Sequence, residues 1–157
     1  MKLSTKGRYA VTALADIALN GGKRPVALAD ISDRQDISVA YLEQLFVKMR
    51  RAGLVESVRG RGGGYRLAAK PAETRISDIM AAVDERLNAM GTEDLPRDGS
   101  GSREASLTHA LWEQLSAHVH VFLNQTTIAD VIEDRMMPCP AVPDFIGVVD
   151  EPEVIAP

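Results

Sequence analysis

Two arginines set among glycines, Arg59-Gly60-Arg61-Gly62-Gly63-Gly64, are the residues of this chain most suited to binding chemistry. Four glycines at a turn cost backbone entropy, so their clustering calls for a reason. A tip without β-carbons comes close to another surface, and two guanidiniums on it suit a phosphate backbone or a narrow minor groove. A plain surface turn is the alternative. The preceding stretch favours the first reading. Leu42, Leu45, Phe46 and Met49 recur at helical spacing and mark a buried face, leaving Ala40, Glu43, Gln44, Val47, Lys48 and Arg51 on the opposite side. Small, amide and cationic side chains on an exposed helix match base edges and phosphates in a major groove, which is wide enough to admit a helix. Lys2, Lys6 and Arg8 add cations at the start of another helix, where positive charge opposes the helix dipole; together they suggest contact with a polyanion, with simple solvation the alternative for each lysine alone.

Holding these side chains in place requires a scaffold, and hydrophobic periodicity outlines one. Ser4 to Asn20 carries Tyr9, Ala10, Ala13, Leu14 and Ile17 on one stripe, closed by Asn20-Gly21-Gly22. Val26 to Asp36 supplies Leu28, Ala29 and Ile31 to a short second helix. Asp36-Ile37-Ser38 is then a tight joint into the third, with Ser38 as its N-cap. Ala52-Gly53 stops that helix, and Leu54 to Val58 alternates as a strand before the glycine tip returns the chain through Tyr65-Arg66-Leu67. Helix, short helix, turn, helix, hairpin is the order of a winged helix-turn-helix. The predicted fold is mostly α: a winged helix-turn-helix DNA-binding domain with a two-stranded wing, plus a long C-terminal dimerisation helix. Residues 1–84 form the DNA-binding region, ending in a linker helix over Arg75 to Val83. Residues 85–105, rich in Gly, Ser, Pro and acids, form a mobile sensor loop. Residues 106–135 form the dimerisation helices, and 136–157 an acidic, proline-rich disordered tail. Leu107, Leu111, Leu115, Val119 and Phe122 lie along one side of the long helix, more apolar face than one small winged helix covers. Packing within the domain is one reading, and an antiparallel pairing with a second copy is the one favoured.

Size and charge agree with this division. At 157 residues and 45% hydrophobic, the chain buries one solid core with one further element. Its formal net charge of -4 is unusual for a DNA binder until split by position. Residues 1–75 hold 14 Lys and Arg against 7 Asp and Glu, giving +7, whereas residues 76–157 hold 4 against 15, giving -11. A basic half beside an acidic half points to a nucleic-acid surface and a separate partner or sensor surface. Arg8 and Asp16 interrupt the apolar N-terminal stretch, which is read as neither signal peptide nor membrane span. A single cysteine, Cys139, excludes an internal disulfide framework and a multi-cysteine zinc finger, and the chain is read as cytoplasmic.

The stretches MKLSTKGRYAVTALADIALN, PVALADIS, YLEQLF, GLVESVRGRGGGYRL and SLTHALW resemble the IscR-type iron-sulfur cluster regulators. These are winged-helix homodimeric repressors or activators of bacterial iron-sulfur and iron-homeostasis genes. The resemblance runs from Met1 to about Val131. It implies that Tyr41, Glu43 and Gln44 stand for the family's recognition-helix residues and Arg59 for its minor-groove wing arginine. Ala40 stands where the cluster-assembly regulator has a serine, which leaves room for a different base preference. In the family, three cysteines in the loop and the histidine of LTHALW hold a 2Fe-2S cluster. This chain keeps His109 but has no cysteine in the loop, and Ser106 occupies the place of the third.

The sensor is accordingly read from what remains. Cys139, in Met136-Met137-Pro138-Cys139-Pro140, is biased to an extended backbone by the following proline, which presents its thiol. His109, in the first turn of the long helix, would be kept neutral by the helix dipole and so able to ligate. Carboxylates such as Glu93, Asp94, Asp98 or Glu104 complete the candidate set. An iron-sulfur cluster, mononuclear Fe(II) held by imidazole and carboxylates, and no metal at all are the three arrangements open. Thiolates are the usual anchors of a cluster, so one per chain makes a weak and labile site unless a dimer pools its ligands. The expected protein is a homodimeric DNA-binding regulator, mainly a repressor, whose operator contacts come from Lys6, Arg8, Ser38, Tyr41, Glu43, Gln44, Lys48, Arg59 and Arg61. Its cluster or iron site would draw on His109, Cys139 and Glu104. A metal-free regulator controlled by a partner or small effector is the alternative. A thiol enzyme built on Cys139 and His109 is the remote one, because no paired base or oxyanion site accompanies the thiol.

Overall fold

The computed structural model describes residues 4–84 and 103–136 of the chain. Helix α1 (Thr5–Asn20) buries Ala10, Ala13, Leu14 and Ile17, the expected stripe, and Gly21 N–H closes it onto Ile17 O at 2.7 Å. A short α2 (Leu28–Gln35) buries Ile31, and Asp36 then turns the chain through a left-handed φ of 53°. Aspartate tolerates that conformation better than most residues, so a tight turn forms without glycine. Helix α3 (Val39–Arg51) follows, with the Ser38 hydroxyl accepting from Tyr41 N–H at 3.3 Å. Leu42, Leu45, Phe46 and Met49 are all buried, so the apolar spacing of α3 and its packing coincide.

Gly53, at φ 74°, releases the chain into β1 (Val55–Val58), which pairs antiparallel with β2 (Gly64–Leu67) in the register Val55↔Leu67 to Val58↔Gly64. This hairpin is stitched to the rest of the domain along its second edge. Val26 N–H donates to Tyr65 O and Tyr65 N–H to Val26 O, each at 2.8 Å, while the Tyr65 ring packs against Phe46 with centroids 4.7 Å apart. Gly64 makes the approach feasible, since a β-carbon there would fall 2.3 Å from Val26 O.

A 3-10 turn (Pro71–Glu73), which periodicity does not reveal, leads into α4 (Ile76–Ala82), the expected linker helix; it buries Ile76, Ile79 and Met80, and Val83 is buried just beyond it. Helix α5 (Arg103–Gln125) begins inside the stretch expected to be loop and extends for 23 residues. Its far end is tied back: Ile76 N–H donates to Thr126 O and Ile128 N–H to Thr74 O, both at 2.9 Å. A capping box between Thr127 and Asp130 then opens the short α6 (Ile128–Ile132), whose fully buried Ile128 joins the core beside α1. Residues 85–102, which make up most of the expected sensor loop, and the tail from residue 137 lie outside the described residues, as do Lys2 and Cys139.

Candidate nucleic-acid interface

Helix α3 presents two kinds of surface. Ala40, Glu43, Gln44, Val47, Arg50 and Arg51 are exposed, whereas Tyr41 and Lys48, which share one flank of the helix, are half-buried. Tyr41 packs partly against the core, and its ring meets Tyr9 of α1 edge to face, with centroids 5.7 Å apart at 88°. Its role in reading a base would therefore fall to the hydroxyl end rather than the whole ring. Lys48 is also engaged, with its ammonium 2.6 Å from Asp84 Oδ2 at the end of α4. Ser38 is exposed, with its hydroxyl on the Tyr41 amide, so it orders the first turn of α3. Arg50, exposed on the flank opposite Lys48, was not among the expected contacts. Its neighbour Met49 is core, and the apolar pattern marks the stripe rather than its border.

The wing places Arg59 and Arg61 in a five-residue turn between β1 and β2, and both are exposed. Gly60 and Gly62 adopt φ 106° and 79°, values that side chains resist, and Gly63 N–H bonds to Gly60 O at 2.9 Å. The glycines are thus conformational requirements and not merely a floppy linker. On the strands themselves Arg66 pairs with Glu56 at 2.8 Å, which offsets its charge and leaves the two tip arginines as the wing's cationic end. At the start of α1, Arg8 is exposed and Lys6 half-buried.

The sensor candidates are not assembled among the described residues, where no group of three or more His, Cys, Asp or Glu stands ready to hold a metal. His109 lies on α5 with Nε2 3.1 Å from Glu113 Oε1, while its Nδ1 is buried without a hydrogen-bond partner among the described residues. One unpartnered nitrogen fits a single donor atom. Because α5 starts at Arg103, His109 belongs to its second turn rather than its first, beyond the reach over which a helix dipole acts strongly. Glu104 lies on α5 with its side chain outside the described residues, as Cys139 is altogether. With one cysteine in 157 residues, the donors do not fit a cluster held by three thiolates and an imidazole from one chain.

A capped helix with an open polar face, running directly into an arginine-tipped hairpin, defines a winged helix-turn-helix DNA-binding regulator of transcription. The chain belongs to the Rrf2 family, described as an iron-dependent transcriptional regulator, which it matches over residues 3–134. It is 63% identical over 155 residues to the HTH-type transcriptional regulator IscR of Cereibacter sphaeroides, covering 96% of this chain and 99% of that one. It is 52% identical over 135 residues to the IscR of Vibrio atlanticus, covering 86% of this chain and 77% of that protein. Among solved structures it resembles CymR, the global cysteine regulator of B. subtilis, with a TM-score of 0.73 and 31% identity over 85% of this chain and 98% of the other. It likewise resembles T. potens IscR, with a TM-score of 0.68 and 37% identity over 88% and 93% of the two chains. These relatives bear out the mostly α winged-helix fold and the resemblance drawn from the sequence. They are named as regulators, not enzymes, which removes the thiol-enzyme alternative. Among the described residues no helix is long and apolar enough to cross a membrane.

Proposed function

We propose that the protein is a cytoplasmic, homodimeric regulator, acting mainly as a repressor, of iron-sulfur cluster or iron-homeostasis genes. The observation that carries the DNA-reading half is the direct passage from the open face of α3 into a glycine-built hairpin that bears Arg59 and Arg61 at its tip. Lys6, Arg8, Lys48 and Arg61 would position the duplex through its phosphates, with Ser38 holding the first turn of α3 against the backbone. Tyr41, Glu43, Gln44 and Arg59 would specify the site.

Dimerisation is supported by α5. Leu107, Leu111 and Phe122 are 65%, 58% and 47% exposed, and Trp112 and Leu115 are exposed as well. Such a stripe is costly in water, and antiparallel pairing with the same stripe of a second copy would cover it while giving the two-fold symmetry of an operator. In this reading residues 1–84 form the DNA-binding region, 85–105 the sensor loop, 106–135 the dimerisation helices and 136–157 the tail.

The switch is proposed as an atypical iron-sulfur cluster, of 2Fe-2S type in the family, or an iron site. His109, Cys139 and Glu104 are the candidate donors, and both chains of the dimer would have to contribute. The description of the family as iron-dependent and the unpartnered Nδ1 of His109 support it. A metal-free regulator governed by a partner or small effector is the second reading, favoured by the shortage of thiolates.

Anaerobic purification with iron and sulfide analysis and visible spectroscopy, applied to wild type, Cys139→Ser and His109→Ala, separates the two. A cofactor lost in both variants supports the switch. The same cofactor in all three refutes the ligand assignment, and its absence from wild type favours the metal-free regulator. For the DNA half, log K against log salt is expected to fall by about 0.9 for each phosphate neutralised. A flat isotherm would contradict the phosphate contacts.

A further inference from the structure

Asp84 ends the linker helix in a left-handed conformation, φ 57°, with its N–H on Ala81 O at 3.2 Å, and its carboxylate reaches across to the recognition helix. Lys48 Nζ lies 2.6 Å from Asp84 Oδ2, with the two side chains 39% and 74% exposed. Exposed pairs of this kind add little to folding, so stability alone gives no account of why a carboxylate stands there. The location gives one. Lys48 borders the open face of α3, and Asp84 brings negative charge to a part of the chain whose first 75 residues carry +7. The Lys48 ammonium holds the Asp84 carboxyl below its ordinary range, and the charge of Lys6, at the start of α1, adds to this. The group therefore remains a carboxylate through the neutral range, and two of the cations placed for phosphate contact lie within its field.

We infer that Asp84 is a built-in competitor of DNA phosphate: in the free protein its carboxylate occupies the Lys48 ammonium, and a bound duplex displaces it. Affinity is then set in part by a residue of the linker helix that reads no base. The inference rests on α3 being the DNA-facing helix, and the following experiment separates the two.

Full-length protein is titrated with a duplex selected by the wild type from a random pool and with an unrelated duplex of equal length. Asp84→Asn removes the charge while keeping a side chain that accepts the left-handed backbone. It should bind both duplexes about two- to fivefold more tightly, the coupling of an exposed charge pair. The gain should shrink as salt rises, because the charges are screened. In a Lys48→Gln background the same substitution should yield less than half of that gain, which isolates the pairwise coupling from general charge effects. Asp84 is exposed and Lys48 half-buried with its ammonium at the surface, so both variants should melt within a few degrees of wild type. An equal gain in the two backgrounds, no gain, or weaker binding by Asp84→Asn overturns the competitor role alone. Failure of the wild type to bind any duplex overturns the DNA-facing assignment of α3 instead.

Discussion

At the scale of single residues, the carboxylate of Asp16 is a buried polar fastening between the first two helices. Its side chain is fully buried and accepts from Arg34 Nη2 at 2.6 Å, Arg34 Nε at 3.0 Å and Gln35 Nε2 at 2.8 Å, binding α1 to α2. The Arg34 hydrogen bonds hold the Asp16 carboxyl below its ordinary range, outweighing the opposite pull of burial. A carboxyl depressed in the folded state contributes stability above its unfolded value, about 3.9, and loses it as pH falls through the lower folded value. Acid denaturation of the wild type should therefore show a component below about pH 4 that Asp16→Asn lacks, read from urea midpoints against pH. Arg34→Ala leaves a buried carboxylate with one weaker partner and should cost about 2 kcal/mol in urea unfolding. At the wing, Arg59→Ala should weaken operator binding by about tenfold, as for loss of a base-reading arginine. Unchanged affinity and sequence preference would remove the wing from recognition. The sequence displayed Arg59 openly, because glycines frame it. It did not display the partners of Asp16 or Lys48, which lie 18 and 36 positions away and depend on how helices cross.

Among the elements, periodicity located α1, α3, α4 and the hairpin well, because each buries residues at the spacing its own geometry dictates. What it could not supply was the joinery between them: the Val26 bridge to Tyr65, the 3-10 turn, and the tie between Thr74, Ile76 and the end of α5. Backbone hydrogen bonds leave no mark in side-chain pattern. The start of α5 at Arg103 was hidden for a related reason, since Arg-Glu-Ala-Ser has no apolar stripe to signal a first turn. The wing glycines test this joinery. Gly62 has φ 79° and open space for 4 Å around the place a β-carbon would take, so Gly62→Ala should cost only the left-handed strain, about 1–2 kcal/mol. Gly64→Ala would drive a β-carbon into Val26 O and should cost more than about 2 kcal/mol while releasing the hairpin from the Val26 segment that precedes α2. Equal losses in chemical denaturation would mean that the Val26 bridge does not anchor the wing.

On the scale of the whole molecule, the reading head and the end of the long helix are fastened together by a cluster of hydrogen bonds. Asn124 near the end of α5 accepts from Ser77 Oγ and Arg75 Nη1, both at 3.2 Å, and Thr126 and Thr127 complete the junction. In the proposed dimer, glutamate at both Leu111 and Leu115 should yield monomers by sedimentation whose winged helix still melts cooperatively, with operator affinity sharply reduced. A persistent dimer would place the interface elsewhere. The stripe along α5 is legible in the sequence, since its spacing marks more apolar face than one small winged helix covers; what the sequence does not give is how much of it the chain's own core leaves exposed. The fastening also turns α5 into a ruler. A helix of 23 residues measures about 34 Å, close to one turn of B-form duplex. Two such rods paired antiparallel, each fastened to its own head near the C-terminal end, would hold the two heads apart by a distance that follows helix length. The preferred spacing of half-sites would then be a matter of helix length, adjustable by whole turns inserted into α5 without altering a residue that touches DNA.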